Sequence, residues 1–497
     1  MSSNSSARVA VQVVLTRAKA SLCAMVLDGW LARAAAARPG HPALVAPEGT
    51  LSYGQLHEQA RAGAGELAAL GVTPGTRVGI ALPAGLDFAR ALHACLLSGA
   101  PAVPIDLRLS AAEQAHVRDG CGVILEQPLR LAGAPGGRPR TGEGEGERHD
   151  LDATALVMHT SGTSSAPKPV ELTYGNLLWS ALGSAVALGA PAGERWLCVL
   201  PLSHMGGLSI LLRSTIYATT AVLHDGFEVE DALRALREER VTVVSLVATT
   251  LQRLLDAGLE HVEELRCVLL GGGPVASSLH ERARAAGVPV ALTYGLTEAC
   301  SQVATVPLAA LAGRDAADRA DPAEPAAPDG ATQHLTAGPP LFCTDVQIAP
   351  DGEILVRGPT VAPGTLGPDG WLHTGDLGVL DAGGRLSVLG RIAETIISGG
   401  ENVAPAEVES VLESHPLVLE AGVFGIEDEQ WGEAVSAVVV LRRGELGEGP
   451  GEPDSVAELR AHCARALAPY KVPKRISLSR APLPRTRSGK LMRRELR

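Results

Sequence analysis

Polar residues packed between two regular elements give the first chemical signal in this chain. The stretch His159-Thr160-Ser161-Gly162-Thr163-Ser164-Ser165-Ala166-Pro167-Lys168 follows an apolar run, Ala155–Met158, that reads as a buried strand. A helical segment opens near Tyr174. Hydroxyls, a glycine and one lysine in such a loop suit the wrapping of polyphosphate. Small side chains let backbone N–H groups approach the oxygens, and a helix N-terminus favours anions. The G-x-x-x-x-G-K-[ST] spacing of a Walker A loop is absent. Taken alone, the stretch also reads as an ordinary flexible loop.

Two further turns fall directly after predicted strands, Gly271-Gly272-Gly273-Pro274 and Tyr294-Gly295-Leu296-Thr297-Glu298. The elements that must position them alternate. Helices are expected at Asp231–Arg240, Thr249–Ala257 and Ala276–Ala286, with strands at Val241–Val247, Arg266–Leu270 and Val288–Thr293. Continuous β-branched runs between amphipathic helices imply parallel strands covered on both faces. The expected fold is therefore α/β, and ligands in such folds gather at the carboxyl ends of strands. Three loops on one edge make a site.

After Arg391 the texture changes to a smaller α+β unit. A helix is expected at Ala406–Leu412, strands at Glu420–Ile426 and Ala434–Leu441, a helix at Val456–Leu467, and then a basic tail. The expected division is an N-terminal extension over 1–25 with Met25 an alternative start, a large domain over 26–391, and a C-terminal domain over 392–497. Gly133–Asp150 and Ala309–Ala331 lack apolar periodicity and read as surface insertions.

Composition narrows the function. With 46% apolar and 20% charged residues over 497 positions the chain reads as globular. Its formal charge of −12 offers no footprint for nucleic acid and argues against anionic membranes. No apolar run reaches the ~18 residues of a membrane span. Eight scattered cysteines without a C-x-x-C pair suit a reducing cytoplasm and signal no zinc site. Nothing here argues against a homodimer.

Several more blocks follow in order: Leu200-Pro201-Leu202-Ser203-His204, Trp371-Leu372-His373-Thr374-Gly375-Asp376, Gly390-Arg391, Ser398-Gly399-Gly400-Glu401-Asn402, and Pro484-Arg485-Thr486-Arg487-Ser488-Gly489-Lys490. Together with the opening loop they resemble the AMP-forming acyl-adenylating superfamily, from about Trp30 to Arg497. That resemblance implies a two-step ligase. AMP is first joined to a carboxylic acid with release of pyrophosphate, and the acyl group then passes to the thiol of CoA. ATP, Mg2+ and CoA are the implied cofactor and co-substrates.

The resemblance also implies roles. Thr160, Ser161, Gly162, Thr163, Ser164 and Lys168 would hold the phosphates, with Thr297 contacting them and Glu298 supplying the magnesium carboxylate. Gly272, Gly273, Pro274, Tyr294 and Gly295 would receive adenine. Asp376 would accept from the ribose hydroxyls, with Arg391 in support. Lys490 would bridge the acid and the α-phosphate during adenylation, although a solvated basic tail is the plain reading of its neighbourhood. A rotation of the C-terminal domain would then bring Gly399 and Gly400 to the pantetheine tunnel. Trp431 reads equally as a tunnel aromatic or a core residue.

Within the superfamily, Leu202–Ile210, Val241–Ser245, Leu265–Pro274 and Glu298–Thr305 are most similar to the o-succinylbenzoate–CoA ligases of menaquinone biosynthesis. His204 would wall that acyl site, and its second carboxylate would need donors, for which Ser301, Gln302 and Arg213 are candidates. Arg213 reads rather as a helix-surface residue. Other aryl- or fatty-acid–CoA ligases, and a catalytically silent nucleotide-binding relative, remain alternatives. Ser165 and Pro169 stand where the family has glycine, and Ala393 where it often has Asp or Lys. Pro169 removes a backbone donor at the loop exit.

Overall fold

The computed structural model describes residues 25–130, 147–160, 168–311, 335–398, 400–429, 431–442, 452–485 and 491–496. Two sheets carry the large N-terminal unit. The first orders Ser301–Thr305, Val290–Leu296, Cys267–Leu270, Val243–Leu246, Arg195–Cys198, Thr220–Leu223, Pro42–Ala46 and Gly49–Ser52 side by side. Its pairs from Val290–Leu296 through Pro42–Ala46 are parallel, and antiparallel strands close both ends. All four residues of Val243–Leu246 and of Cys267–Leu270 are buried, as helices on both faces require. The second sheet orders Val123–Leu125, Val78–Ile80, Ala102–Pro104, Thr154–Thr160 and Lys168–Thr173. Pro169 faces His159 on that last, outermost strand, the place where a sheet tolerates a missing donor.

The helix expected from Tyr174 runs Tyr174–Leu188. Thr173 caps it by accepting from the Asn176 N–H at 3.1 Å, while the Asn176 side-chain oxygen accepts from the Thr173 N–H at 2.9 Å. The same Asn176 amide donates to the carbonyls of Pro359 and Val361, at 2.8 and 3.0 Å. One cap thus fastens a loop that is 183 residues away in sequence.

One expectation needs correction. Arg148–Asp150, placed at the end of a surface insertion, is a strand that pairs antiparallel with Val26–Asp28. Its anchor is His149, buried and stacked on Tyr174 at 4.3 Å, with Trp30 edge-on at 4.7 Å. A lone His among charged residues carries no periodicity, so the sequence hid it. The remainder of that insertion, over 131–146, and positions 312–334 of the second insertion lie outside the described residues.

A four-stranded antiparallel sheet, Asp345–Ile348, Glu353–Arg357, Leu372–Leu380 and Leu386–Arg391, follows. After the short turn Ile392–Glu394 a second core forms around Ile396, Val408, Leu412, Val423, Val439 and Leu459. Its sheet orders Glu401–Val403, Ile396–Ser398, Gly432–Leu441 and Val418–Asp428, with Arg475–Ser479 parallel to Gly432–Leu441.

Candidate active site

The two turns that follow strands lie on the carboxyl edge of the first sheet. Gly272, at φ +82°, occupies backbone space where side chains are strained. Gly295 answers a tighter demand, because a Cβ there would sit 1.6 Å from the Ser301 carbonyl oxygen. Strand Val290–Leu296 can fold back onto Ser301–Thr305 only with glycine at this point.

Between those strands the short helical turn Thr297–Ala299 presents Thr297 and Glu298. Cys300 and Ser301 then adopt φ values of +55° and +92°, a run of two non-glycine residues in the left-handed region. Each such residue costs about 1–3 kcal/mol and persists only when its surroundings over-determine it. Here the Ser180 hydroxyl donates to the Cys300 carbonyl at 2.6 Å, and the Cys300 N–H donates to the Thr297 carbonyl at 2.9 Å. The Ala362 N–H donates to the Glu298 carbonyl at 2.8 Å, from the loop that Asn176 fastens. The Glu298 carboxylate is part-exposed and makes no ion pair among the described residues.

Asp376 lies opposite Arg391 in the four-stranded sheet and is only 5% exposed. Tyr294 donates its hydroxyl to Asp376 Oδ2 at 2.7 Å, and Arg391 Nε approaches Oδ1 at 3.0 Å. Burial and then the Asp376 carboxylate push the Tyr294 hydroxyl well above its usual value, so it stays a donor. The turn into Asp376 needs Gly375 at φ +70°, whose N–H donates to Glu353 Oε1 at 2.8 Å. Adenine-side and ribose-side candidates, 82 residues apart, therefore share one hydrogen-bonded group.

Comparison with known proteins gives the family. The pattern of the AMP-binding enzyme family matches residues 31–125 and 123–366, and that of the AMP-binding enzyme C-terminal domain matches 407–490. The chain belongs to the AMP-binding enzyme family. It is 38% identical to the 2-succinylbenzoate–CoA ligase of Bacillus subtilis (strain 168), over 94% of this chain and 97% of that protein. The ligase of the same name from Geobacillus kaustophilus is also 38% identical, over 95% and 97%. Among solved structures, the Bacillus subtilis o-succinylbenzoate CoA synthetase with the acyl-adenylate OSB-AMP superposes with a TM-score of 0.79, at 35% identity over 95% of this chain and 98% of that one. The same enzyme with ATP and magnesium gives 0.78 at 34% identity, over 95% and 100%.

In this AMP-binding enzyme, Ser161, Gly162, Thr163, Ser164, Ser165, Gly399 and Lys490 lie outside the described residues. Thr160 and Lys168, which flank the loop, pair across the second sheet, and Lys168 is exposed. Gly400, at φ +85°, turns between Ile396–Ser398 and Glu401–Val403. Trp431 adjoins it, since Ser398 pairs with Gly432. Trp431 is part-exposed rather than core, with the Lys474 ammonium 4.5 Å above its ring.

The acyl-site candidates divide. Ser301 is partly exposed on the strained turn. Gln302 is buried and its amide nitrogen donates to Thr305 Oγ1 at 2.7 Å, leaving the amide oxygen without a partner.

Arg213 needs correction. It is not on a helix surface but 2% exposed, because helix Met205–Tyr217 is buried on nearly every side. Arg213 Nη2 donates to Ser180 Oγ at 3.1 Å, its guanidinium lies 5.8 Å from the Trp196 ring centre, and its Nε has no partner. No carboxylate lies within ion-pair distance among the described residues. A buried cation in that position calls for an anion.

Two residues escaped the sequence reading. Asp106 and Arg108 follow strand Ala102–Pro104 at its carboxyl end and meet His204. Their signal was available: an acid and a base two apart, immediately after a buried apolar strand.

Proposed function

We propose that this chain is an ATP-dependent acid–CoA ligase that converts o-succinylbenzoate to its CoA thioester, the menaquinone-pathway reaction. The observation that carries the reading is the joining of Tyr294, Asp376 and Arg391 into one group, with Tyr294 on the strand that leads into the Thr297–Glu298 turn. Near-full-length similarity to the 2-succinylbenzoate–CoA ligases supports it.

In the first step a carboxylate oxygen of the acid attacks the α-phosphorus of ATP, and the bond to pyrophosphate breaks. Thr160, Lys168 and the loop between them would hold the phosphates, and Lys490 would neutralise charge growing between acid and α-phosphate. Magnesium, held through Glu298, would screen the phosphate oxygens. Asp376 would accept from the ribose hydroxyls, and Tyr294 with the Gly272–Pro274 turn would take adenine. In the second step the CoA thiolate attacks the acyl carbon and AMP leaves. Gly399, Gly400 and Trp431 would serve this step after the unit beyond Arg391 has turned about residues 391–394. His204 and Ser301 would wall the acyl site, with the buried Arg213 charge, which reaches the Cys300 turn through Ser180, answering the second carboxylate. Seven cysteines without a disulfide among the described residues support a cytoplasmic setting. No described helix is long and apolar enough to cross a membrane.

The deciding experiment incubates pure protein with ATP, magnesium, CoA and a panel of acids. AMP and pyrophosphate should appear, with o-succinylbenzoate the best acid. ADP and phosphate instead would overturn the chemistry, and preference for a fatty acid would overturn the substrate.

A further inference from the structure

The carboxyl ends of the two sheets meet at His204. Strand Ala102–Pro104 of the second sheet leads to Asp106 and Arg108, and strand Arg195–Cys198 of the first leads to His204, which precedes helix Met205–Tyr217. Arg108 grips Asp106 with Nε on Oδ1 at 2.8 Å and Nη2 on Oδ2 at 2.6 Å. The Arg108 backbone N–H adds a bond to Oδ1 at 2.9 Å. Burial alone would raise the Asp106 carboxyl, but the Arg108 hydrogen bonds override it and bring its pKa to about 2. The pair is a fixed fork.

The same Nη2 lies 3.3 Å from His204 Nε2, with Asp106 Oδ2 3.7 Å from that nitrogen. A guanidinium has no acceptor and stays charged, so Nε2 can only accept from it. The ring proton must then sit on Nδ1. We propose that Arg108, fixed by Asp106, is a positioning residue that holds His204 as the neutral Nδ1–H tautomer, leaving Nδ1–H to donate to an oxygen of the bound acid or acyl-adenylate.

Electrostatics agree. His204 keeps half of its side chain exposed, and the partial desolvation it does undergo lowers its pKa from 6.5, with Asp106 opposing that shift and Arg108 adding to it. These are the charged groups facing the ring among the described residues. A second proton on Nε2 would point at a guanidinium. The donor role rests on His204 walling the acyl site, but the tautomer does not depend on which acid is bound.

Nitrogen-15 histidine NMR on the full chain tests this, with His204→Gln used to assign the signal. Wild type should show His204 protonated at Nδ1 and titrating below 6.5. In Arg108→Met the ring should mix tautomers and titrate higher, because Asp106 then acts unopposed. The kcat/KM for the acid should fall about tenfold, the scale of one hydrogen bond, with the KM for ATP unchanged. Asp106→Asn should loosen the fork and move the tautomer the same way. An Nε2–H wild type, or an Arg108→Met protein with unchanged tautomer and pKa, overturns the proposal even if activity drops. A different preferred acid with the tautomer intact would overturn the substrate assignment alone.

Discussion

Tyr294 donates its hydroxyl to Asp376 Oδ2 at 2.7 Å, tying the end of a parallel strand to a separate antiparallel sheet. The bond fixes Oδ2 of a buried carboxylate whose Oδ1 faces Arg391 Nε at 3.0 Å. Asp376→Asn should lower kcat/KM for ATP about a hundredfold, because a charged acceptor is lost and Arg391 is left facing an amide. Tyr294→Phe removes one bond and should cost about tenfold. Pyrophosphate–ATP exchange measures both. Equal, negligible losses would remove Asp376 from the ribose site.

Arg493 holds Glu409 through two bonds, at 3.0 and 2.7 Å, and also pairs with Glu394 in the turn between the two units. It lies three residues beyond Lys490. Lys490→Ala should lose acyl-adenylate formation by orders of magnitude yet still convert presynthesised acyl-adenylate and CoA to thioester. Arg493→Ala leaves two part-buried carboxylates facing each other, a loss of about 3–5 kcal/mol for buried pairs. It should lower the Tm and slow adenylation. Equal damage to both half-reactions in Lys490→Ala would end the division-of-labour reading.

Much of this was legible in the sequence, for physical reasons. The helices expected at Thr249–Ala257 and Ala276–Ala286 are observed at Ala248–Asp256 and Ser277–Ala285, because each shows one apolar stripe. Tyr294, Asp376 and Arg391 were singled out by the resemblance of their motifs to the adenylating superfamily, since the turn residues around Asp376 alone read equally as a plain turn. The structure brings the three together. Arg213 was misread because its helix is apolar on all sides, so a single charge looked like a surface mark. The Asp106–Arg108 fork had a local signal, an acid and a base two apart, but its contact with His204, 96 residues from Arg108, had none. Contacts of that range leave no local pattern.

Arg213→Met tests the second carboxylate. Methionine keeps the bulk but removes the charge, so preference for o-succinylbenzoate over 4-phenyl-4-oxobutanoate should narrow about a hundredfold in kcat/KM. If both acids lose equally, Arg213 instead supports the Cys300 turn through Ser180.

The two units should respond to acid in opposite senses. His93 and His149 are pushed by burial to about 4, below their unfolded value near 6.5. The stability they contribute is complete above pH 6.5 and lost as pH falls toward 4. Glu413 is raised by burial, and then by Glu409, to about 7. Its folded form holds a proton the unfolded chain releases near 4.5, so stability falls as pH rises from 4.5 to 7. Glu413→Gln should therefore stabilise the C-terminal unit by on the order of 2 kcal/mol at pH 8 and by little near pH 4.5. Hydrogen exchange resolved by segment across that range measures it, and a gain independent of pH would refute the assignment.

The setting of Pro169 on the outermost strand Lys168–Thr173 has a consequence beyond catalysis. An open sheet edge offers a row of free donors and acceptors on which a stray strand can crystallise. Here Lys168, Pro169 and Glu171 are all exposed along that margin. A charge of each sign and a residue without an N–H make it a poor template. Pro169 and the charges beside it thus favour colloidal solubility, keeping neighbouring molecules from zipping together in a crowded cell.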